Sequence, residues 1–292
     1  MPKHFLRFLL LLGAVLPAAC GSADDTAAPV ASAAVTLDRS RAEVGGPVTA
    51  RYRFTVPAGA PAIDGNYSVF VHVLDRSGEL LWNDDHTPVP ATREWKPGKT
   101  IEYSRLMFVP RTAEVGPATV EIGLYAPASG ERLPLAGESS GMRAYSVASF
   151  EIAPQAESLF VAFTDGWHAA EGAPDGQLEW QWSKGRGVLA FSNLKRDAEL
   201  LVQLDQPASV PGGPQHVEFA IGGTVLDSLD LPPGRSELRR IALPAAALGS
   251  ADRVEMTIAV DKTFVPAAVP EMRSNDTREL GVRVFRAYLQ PK

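Results

Sequence analysis

The stretch TARYRFTV, from Thr49 to Val56, decides the fold class. Ala50, Tyr52 and Phe54 fall on one side and Arg51 and Arg53 on the other, the period-two pattern of a strand with one buried face. A helix would instead space its apolar residues three and four apart. Runs of the same kind follow: NYSVFVHVLD (66–75), IEYSRLMFV (101–109), ATVEIGLYA (118–126) and YSVASFEI (145–152), divided by Gly, Pro, Asn and Asp. About seven such strands between Val35 and Ile152 predict an immunoglobulin-like β-sandwich over residues 34–153. LDRSGELLW carries a hairpin turn at Asp75–Gly78, with Gly78 supplying a positive φ. In that register His72 lies opposite Trp82, on the face of Phe70, Leu74 and Leu80.

The same spacing resumes after a short linker, residues 154–158. GVLAFSNL, AELLVQLDQ, HVEFAIGG, TVLDSLDL, SELRRIAL, RVEMTIAVD and LGVRVFRAYLQ read as strands, with a second hairpin at Gly222–Gly223. One short helix is expected in PAAALGSAD, Pro244 to Asp252. Residues 159–292 thus predict a second all-β sandwich, nearer a jelly roll in its spacing. The expected chain is all-β, two sandwiches in tandem.

The first residues give an address. Lys3 and Arg7 precede an apolar run from Phe8 to Ala19, too short for a transmembrane helix of about 20 residues and suited to a signal peptide over 1–19. The run ends at LPAAC, whose Cys20 is the only cysteine in the chain. This stretch resembles the lipobox of bacterial lipoproteins, which implies acylation of Cys20 (palmitate among the chains) and cleavage before it. Pro17 departs from the aliphatic residue usual there, and cleavage after Ala23 is the alternative. Residues 20–33, small and polar, read as the lipidated cysteine and a flexible tether. Several acyl chains on one residue anchor stably where one does not. Gly21 and Ser22 lack a retaining aspartate, so the analogy favours the outer membrane of a bacterial cell envelope.

Loss of Lys3 and Arg7 with the signal leaves 26 basic residues against 34 acidic, a net charge near −8. With no dense basic stripe, nucleic acid is excluded as a partner, since its binding rests on Lys and Arg neutralising phosphates. A single cysteine permits no internal disulfide, so both cores must hold by burial alone.

GWHAAE (166–171), EWQWSKGRGVLAF (179–191) and FVPAAVPEMRSNDTRELGVRVFRAYL (264–289) resemble bacterial galactose-binding-like modules, and YSVFVHVLDRSGELLWNDDHTPV (67–89) is similar to the sandwich that accompanies them. The resemblance implies sugar recognition through loops at one end of the second sandwich, or a scaffolding role. Trp167, in a turn-rich stretch with His168, Glu171 and Asp175, is the candidate ligand site, since a sugar's CH face stacks on an aromatic ring while its hydroxyls bond carboxylates. Trp180 and Trp182, two apart in LEWQWS, share one strand face, which their bulk marks for burial. Asn275, Asp276 and Glu279 are candidate calcium ligands, though off the spacing of a known loop, and Asp276 with Arg278 reads equally as a structural pair. GESSG (137–141) has the nucleophile-elbow pattern without the strand-to-helix turn it requires, and SNLK (192–195) sits at a strand end. His72, Asp84, Asp85 and His86 can converge as a polar or metal cluster. The expectation is a non-enzymatic, lipid-anchored envelope protein recognising glycan through its second sandwich, without a cofactor. The alternative is an assembly lipoprotein contacting other envelope proteins, and an esterase or glycosidase comes third.

Overall fold

A computed structural model describes residues 27–173, 179–210 and 212–292. The signal peptide, Cys20, the cleavage alternatives and Asp175 lie outside the described residues. The chain is all-β. Its first half contributes β1 (Ala31–Leu37), β2 (Arg41–Glu43), β3 (Pro47–Thr55), β4 (Ser68–Leu74), β5 (Leu80–Asn83), β6 (Thr100–Phe108), β7 (Gly116–Tyr125), β8 (Arg132–Leu133), β9 (Leu135–Ala136) and β10 (Tyr145–Ala153). They form one sheet in the order β6-β3-β1-β9 and a second in the order β2-β10-β7-β4-β5, with β8 beside β7. Tyr52 and Phe54 are fully buried between the two, while Arg51 and Arg53 face out, as the alternation requires. β1 starts earlier than the tether reading allowed. Ala31 is fully buried and pairs in parallel with Leu135, a position that a run of small residues without periodicity does not announce.

The second half contributes β11 (Val161–Phe163), β12 (Glu171–Gly172), β13 (Glu179–Trp182), β14 (Arg186–Ser192), β15 (Ala198–Gln206), β16 (Gln215–Ile221), β17 (Thr224–Leu231), β18 (Arg235–Leu243), β19 (Arg253–Val260) and β20 (Arg283–Pro291), with a short helix α1 (Ala245–Leu248) between β18 and β19. Five strands in the order β11-β14-β19-β16-β17 face five in the order β12-β13-β20-β15-β18. Leu189, Leu200, Val202, Leu204, Phe219 and Ile258, each fully buried, fill the space between. Among the described residues no helix is long and apolar enough to cross a membrane.

Both hairpin turns form where the glycines stand: Gly78 has φ +86°, and Gly222 and Gly223 have +57° and +83°. Asp75 braces the first, its Oδ1 accepting from the Ser77 and Glu79 amides at 2.8 and 2.9 Å. The strand register corrects one expectation. A bulge between Val73 and Leu74 sets Trp82 opposite Val73 and turns Trp82 towards the core, while His72 pairs with Asn83 and lies against Phe70 on the outside.

Trp180 and Trp182 do share a face, but it is not the core face. Gln181 stands opposite the buried Val284, so the tryptophans lie on the outer side of their sheet with Arg283, where Trp182 is buried as expected, 7% exposed and edge-on to Phe264 at 5.8 Å, and Trp180 is half-buried. That surface also carries Leu201 and Tyr288, 0% and 5% exposed, because the first sandwich covers it. A Cβ on Gly46 would lie 2.8 Å from the Glu43 carbonyl oxygen and 3.1 Å from the Tyr288 hydroxyl, so the absence of a side chain there lets the two sandwiches approach. The Tyr288 hydroxyl donates to Glu43 Oε2 at 3.4 Å, and the Ala156 amide donates to the same oxygen at 3.3 Å.

Candidate functional site

The candidate residues around Trp167 converge, but as packing. Gly166, at φ +74°, turns the chain so that the Trp167 indole lies against Gly187, where a Cβ would come within 2.6 Å of the ring. Its N–H donates to Val188 O at 2.9 Å and its edge meets Phe163 at 4.7 Å. Trp167 therefore closes one edge of the second sandwich, its ring engaged by the protein. His168 bonds the Glu279 carbonyl at 2.8 Å through Nε2. Glu171 is taken by Arg278 at 2.6 Å, and Arg278 also grips Asp276, whose carboxyl is held down to about 2 by that guanidinium. Glu279 accepts from the Thr263 hydroxyl at 2.7 Å.

The carboxylates proposed for calcium are thus spent on an arginine and a hydroxyl. Among the described residues no group of three acids, histidines or cysteines is arranged to hold a metal. The second polar cluster also separates. His86 points inward, bonding Asp84 O and the Tyr103 hydroxyl, both at 2.9 Å, and burial lowers its pKa. Asp85 accepts from the Val71 amide at 3.0 Å. Ser139 of GESSG accepts from the Gly141 amide at 3.1 Å within a turn, with no helix behind it.

The concave surface of the molecule lies between the sandwiches. The open edges of the first, β5 and β6, are tied by a two-pronged pair from Arg105 to Asp84, at 2.9 and 3.1 Å. They face the outer sheet surface of the second sandwich across two adjoining cavities. The larger, about 750 Å³, is bounded by β5 with Trp82, by β6 with Phe108, and by Gln203, Leu238 and Arg286. The smaller, about 210 Å³, lies between the turn Val109–Thr112 and Phe163, Trp180, Phe285 and Arg286. Pro110, Thr112 and Arg286 border both, so the two form one groove along the seam. Trp82 Nε1 and Trp180 Nε1 lie buried in its walls without a hydrogen-bond partner among the described residues.

The groove is aromatic, with charge placed inside it. Arg286 stacks on Phe108 with its guanidinium carbon 4.5 Å from the ring centre. Arg283 is held by Asp205 at 2.8 and 2.6 Å and lies 5.1 Å from the Trp180 ring centre. The sequence placed none of Trp82, Phe108, Arg111, Phe285 and Arg286 in a ligand site. Their strands were readable, yet which apolar face meets its own core and which meets the other sandwich is a tertiary choice.

No protein-family model and no curated protein matches this chain. Solved structures give distant likenesses. The tandem CBM22-1–CBM22-2 domain of Paenibacillus barcinonensis Xyn10C aligns at TM-score 0.29 and 10% identity, over 89% of this chain and 91% of that one. The carbohydrate-binding module CBM6cm-2 of Cellvibrio mixtus lichenase 5A, in complex with cellotriose, aligns at 0.27 and 10%, over 44% of this chain and 88% of that one. A family GH115 4-O-methyl-α-glucuronidase with specificity for decorated arabinogalactans aligns at 0.33 and 14%, over 56% of this chain and 20% of the enzyme. This chain spans about a fifth of that enzyme's length. Likeness at this level assigns neither a family nor a ligand.

Proposed function

We propose that this is a lipid-anchored, non-catalytic protein of a bacterial cell envelope that takes a glycan into the groove between its two sandwiches. The observation that carries the reading is the aromatic groove itself. Its larger cavity, about 750 Å³, falls within the range of about 300–1,000 Å³ typical of ligand sites. Trp82 and Phe108 in one cavity and Trp180 and Phe285 in the other offer rings against which the apolar faces of sugars pack. The carboxylate of Asp84, on the lining, is committed to Arg105, which favours binding over acid–base chemistry. Five-on-five strand order supports a jelly-roll, galactose-binding-like second sandwich, and the first we take as immunoglobulin-like. Acylation at Cys20 would supply the anchor and the residues between it and the buried Val30 a spacer, with the outer membrane as the site.

The test is affinity of the full chain for a panel of native surface polysaccharides, beside Trp180→Ala and Phe285→Ala. Retention by the wild type, lost in both variants at unchanged thermal stability, is the expected result. Retention undiminished in both would remove the site from the groove. Incorporation of labelled palmitate, absent in Cys20→Ser, is the expected result for the anchor.

A further inference from the structure

Five arginines among the described residues are each held by both oxygens of a carboxylate: Arg39 by Asp38, Arg105 by Asp84, Arg239 by Asp227, Arg278 by Asp276 and Arg283 by Asp205. Arg286 is the contrast. It stands on the same sheet surface as Arg283, half-buried, with neither an ion pair nor a hydrogen bond among the described residues. Burial pushes its pKa down, and the charge of another cation, Arg111, adds to that. Burying a guanidinium is costly unless an anion meets it. The ring of Phe108 offsets part of this cost and leaves the in-plane donors unused.

The placement is built into the backbone. β20 carries a bulge where Gln203 pairs with Arg286 and Leu204 with Val284, so Phe285 is the extra residue. Without it, strict alternation from the buried Val284 would turn residue 286 into the core. With it, Phe285 and Arg286 both face the groove, and Ala287 returns to the core. Bulges that re-aim a side chain are concentrated beside functional sites. The Nε of Arg286 is sealed without a partner, whereas its two terminal nitrogens are not, so the fork opens onto the cavity it shares with Arg111.

Resting on the reading of the groove as a glycan site, we propose that its occupant is an acidic saccharide whose carboxylate or sulfate is received by Arg286, with Arg111 beside it. The charges on the lining agree. Arg105 and Asp84 cancel, and Arg286 and Arg111 face one remaining carboxylate, the exposed Glu179, which leaves the groove cationic on a protein that is acidic overall. A guanidinium fork matches a carboxylate or sulfate geometrically and binds it more strongly than a neutral hydroxyl.

The experiment applies the full chain to an array bearing neutral, uronate and sulfated saccharides, with poly-L-glutamate as a polyanion that is not a sugar. Wild type is compared with Arg286→Gln, Arg111→Gln and Glu179→Gln, each with its thermal unfolding. Retention of uronate or sulfated saccharides, weakened roughly tenfold or more by Arg286→Gln and strengthened by Glu179→Gln, is expected. Arg111 lies on an exposed turn, so its variant carries the same test if Arg286→Gln fails to fold, with a loss of a few-fold. Preference for uronate over sulfate, or the reverse, identifies the anion. Neutral saccharides held equally by wild type and Arg286→Gln would overturn the acidic occupant and leave the glycan reading standing. Poly-L-glutamate held as tightly as any saccharide would overturn the glycan reading and make the groove a site for acidic protein. No retention on any feature would overturn both.

Discussion

Trp167→Ala separates packing from presentation. The indole is half-buried, meets Phe163 edge-on at 4.7 Å and donates to Val188 O at 2.9 Å. Truncating a fully buried tryptophan costs about 3–5 kcal/mol, so a half-buried ring accounts for about 2–3 kcal/mol. The lost hydrogen bond adds less than about 1 kcal/mol, because the Thr164 amide still donates to Val188 O at 3.0 Å and leaves no orphaned carbonyl. At about 3 °C per kcal/mol, the unfolding transition of the second sandwich falls by roughly 10 °C. Trp167→Phe, which keeps a ring against Gly187, recovers more than half of that. Differential scanning calorimetry resolves the shift, and glycan affinity measured well below the transition stays at the wild-type level. A Trp167→Ala protein that melts within about 2 °C of wild type but no longer binds saccharide would refute the reasoning and return the site to the stretch around Trp167.

Two further perturbations test the electrostatics. Arg105→Leu leaves Asp84 without its partner beside the buried Tyr52 and Tyr103, and costs about 1–3 kcal/mol in the first sandwich. It also removes a cation that depresses the His86 pKa, so the His86 imidazole signals in an NMR titration move upward; an unmoved titration would show that the pair does not reach the histidine. Asp276 titrates near 2 in the folded chain, below the ordinary aspartate value of 3.8, because Arg278 holds its ionised form. A depressed acid contributes stability above its unfolded pKa and loses it as pH falls towards the folded value. Stability of the second sandwich should therefore decline between about pH 4 and 2 by an amount that Asp276→Asn removes, measured by urea unfolding at each pH.

What the sequence disclosed and what it withheld divide along a physical line. Alternation in TARYRFTV marks Tyr52 and Phe54 as core because their flanking arginines leave only one face that can be buried. The turns at Asp75–Gly78 and Gly222–Gly223 are equally local, since a positive φ is something a glycine announces. EWQW and VFRAYL are different. VFRAYL has apolar residues on both faces, and EWQW shows its aromatic face but not the neighbour that covers it, so periodicity assigns a strand and stays silent on which face meets which partner. In β13 it is the tryptophans that lie on the side away from the core, and in β20 a bulge at Phe285 changes the side of every residue from Arg286 onward. One inserted residue in a period-two element reverses the side on which each later side chain falls. No propensity in RVFRAYL records where that insertion lies.

The missed site follows from the same gap. Reading the aromatics of Gly166–Gly185 as a loop platform assumed that exposure accompanies turns, yet Trp167 is drawn onto Gly187 by the turn at Gly166, and the half-buried Glu171 is consumed by Arg278. The groove draws instead on residues distant in sequence, from Trp82 to Arg286, that come together only once two separately folded sandwiches meet at Gly46 and Tyr288. Each side alone looks ordinary: an edge strand with a salt bridge, and a sheet with arginines on its outside. The sign that this seam is more than packing is chemical. A seam under pressure for stability alone gains by pairing a half-buried arginine with a carboxylate or replacing it with an apolar residue. The second sandwich does pair Arg283 with Asp205, and two strand positions further on it leaves Arg286 to the groove.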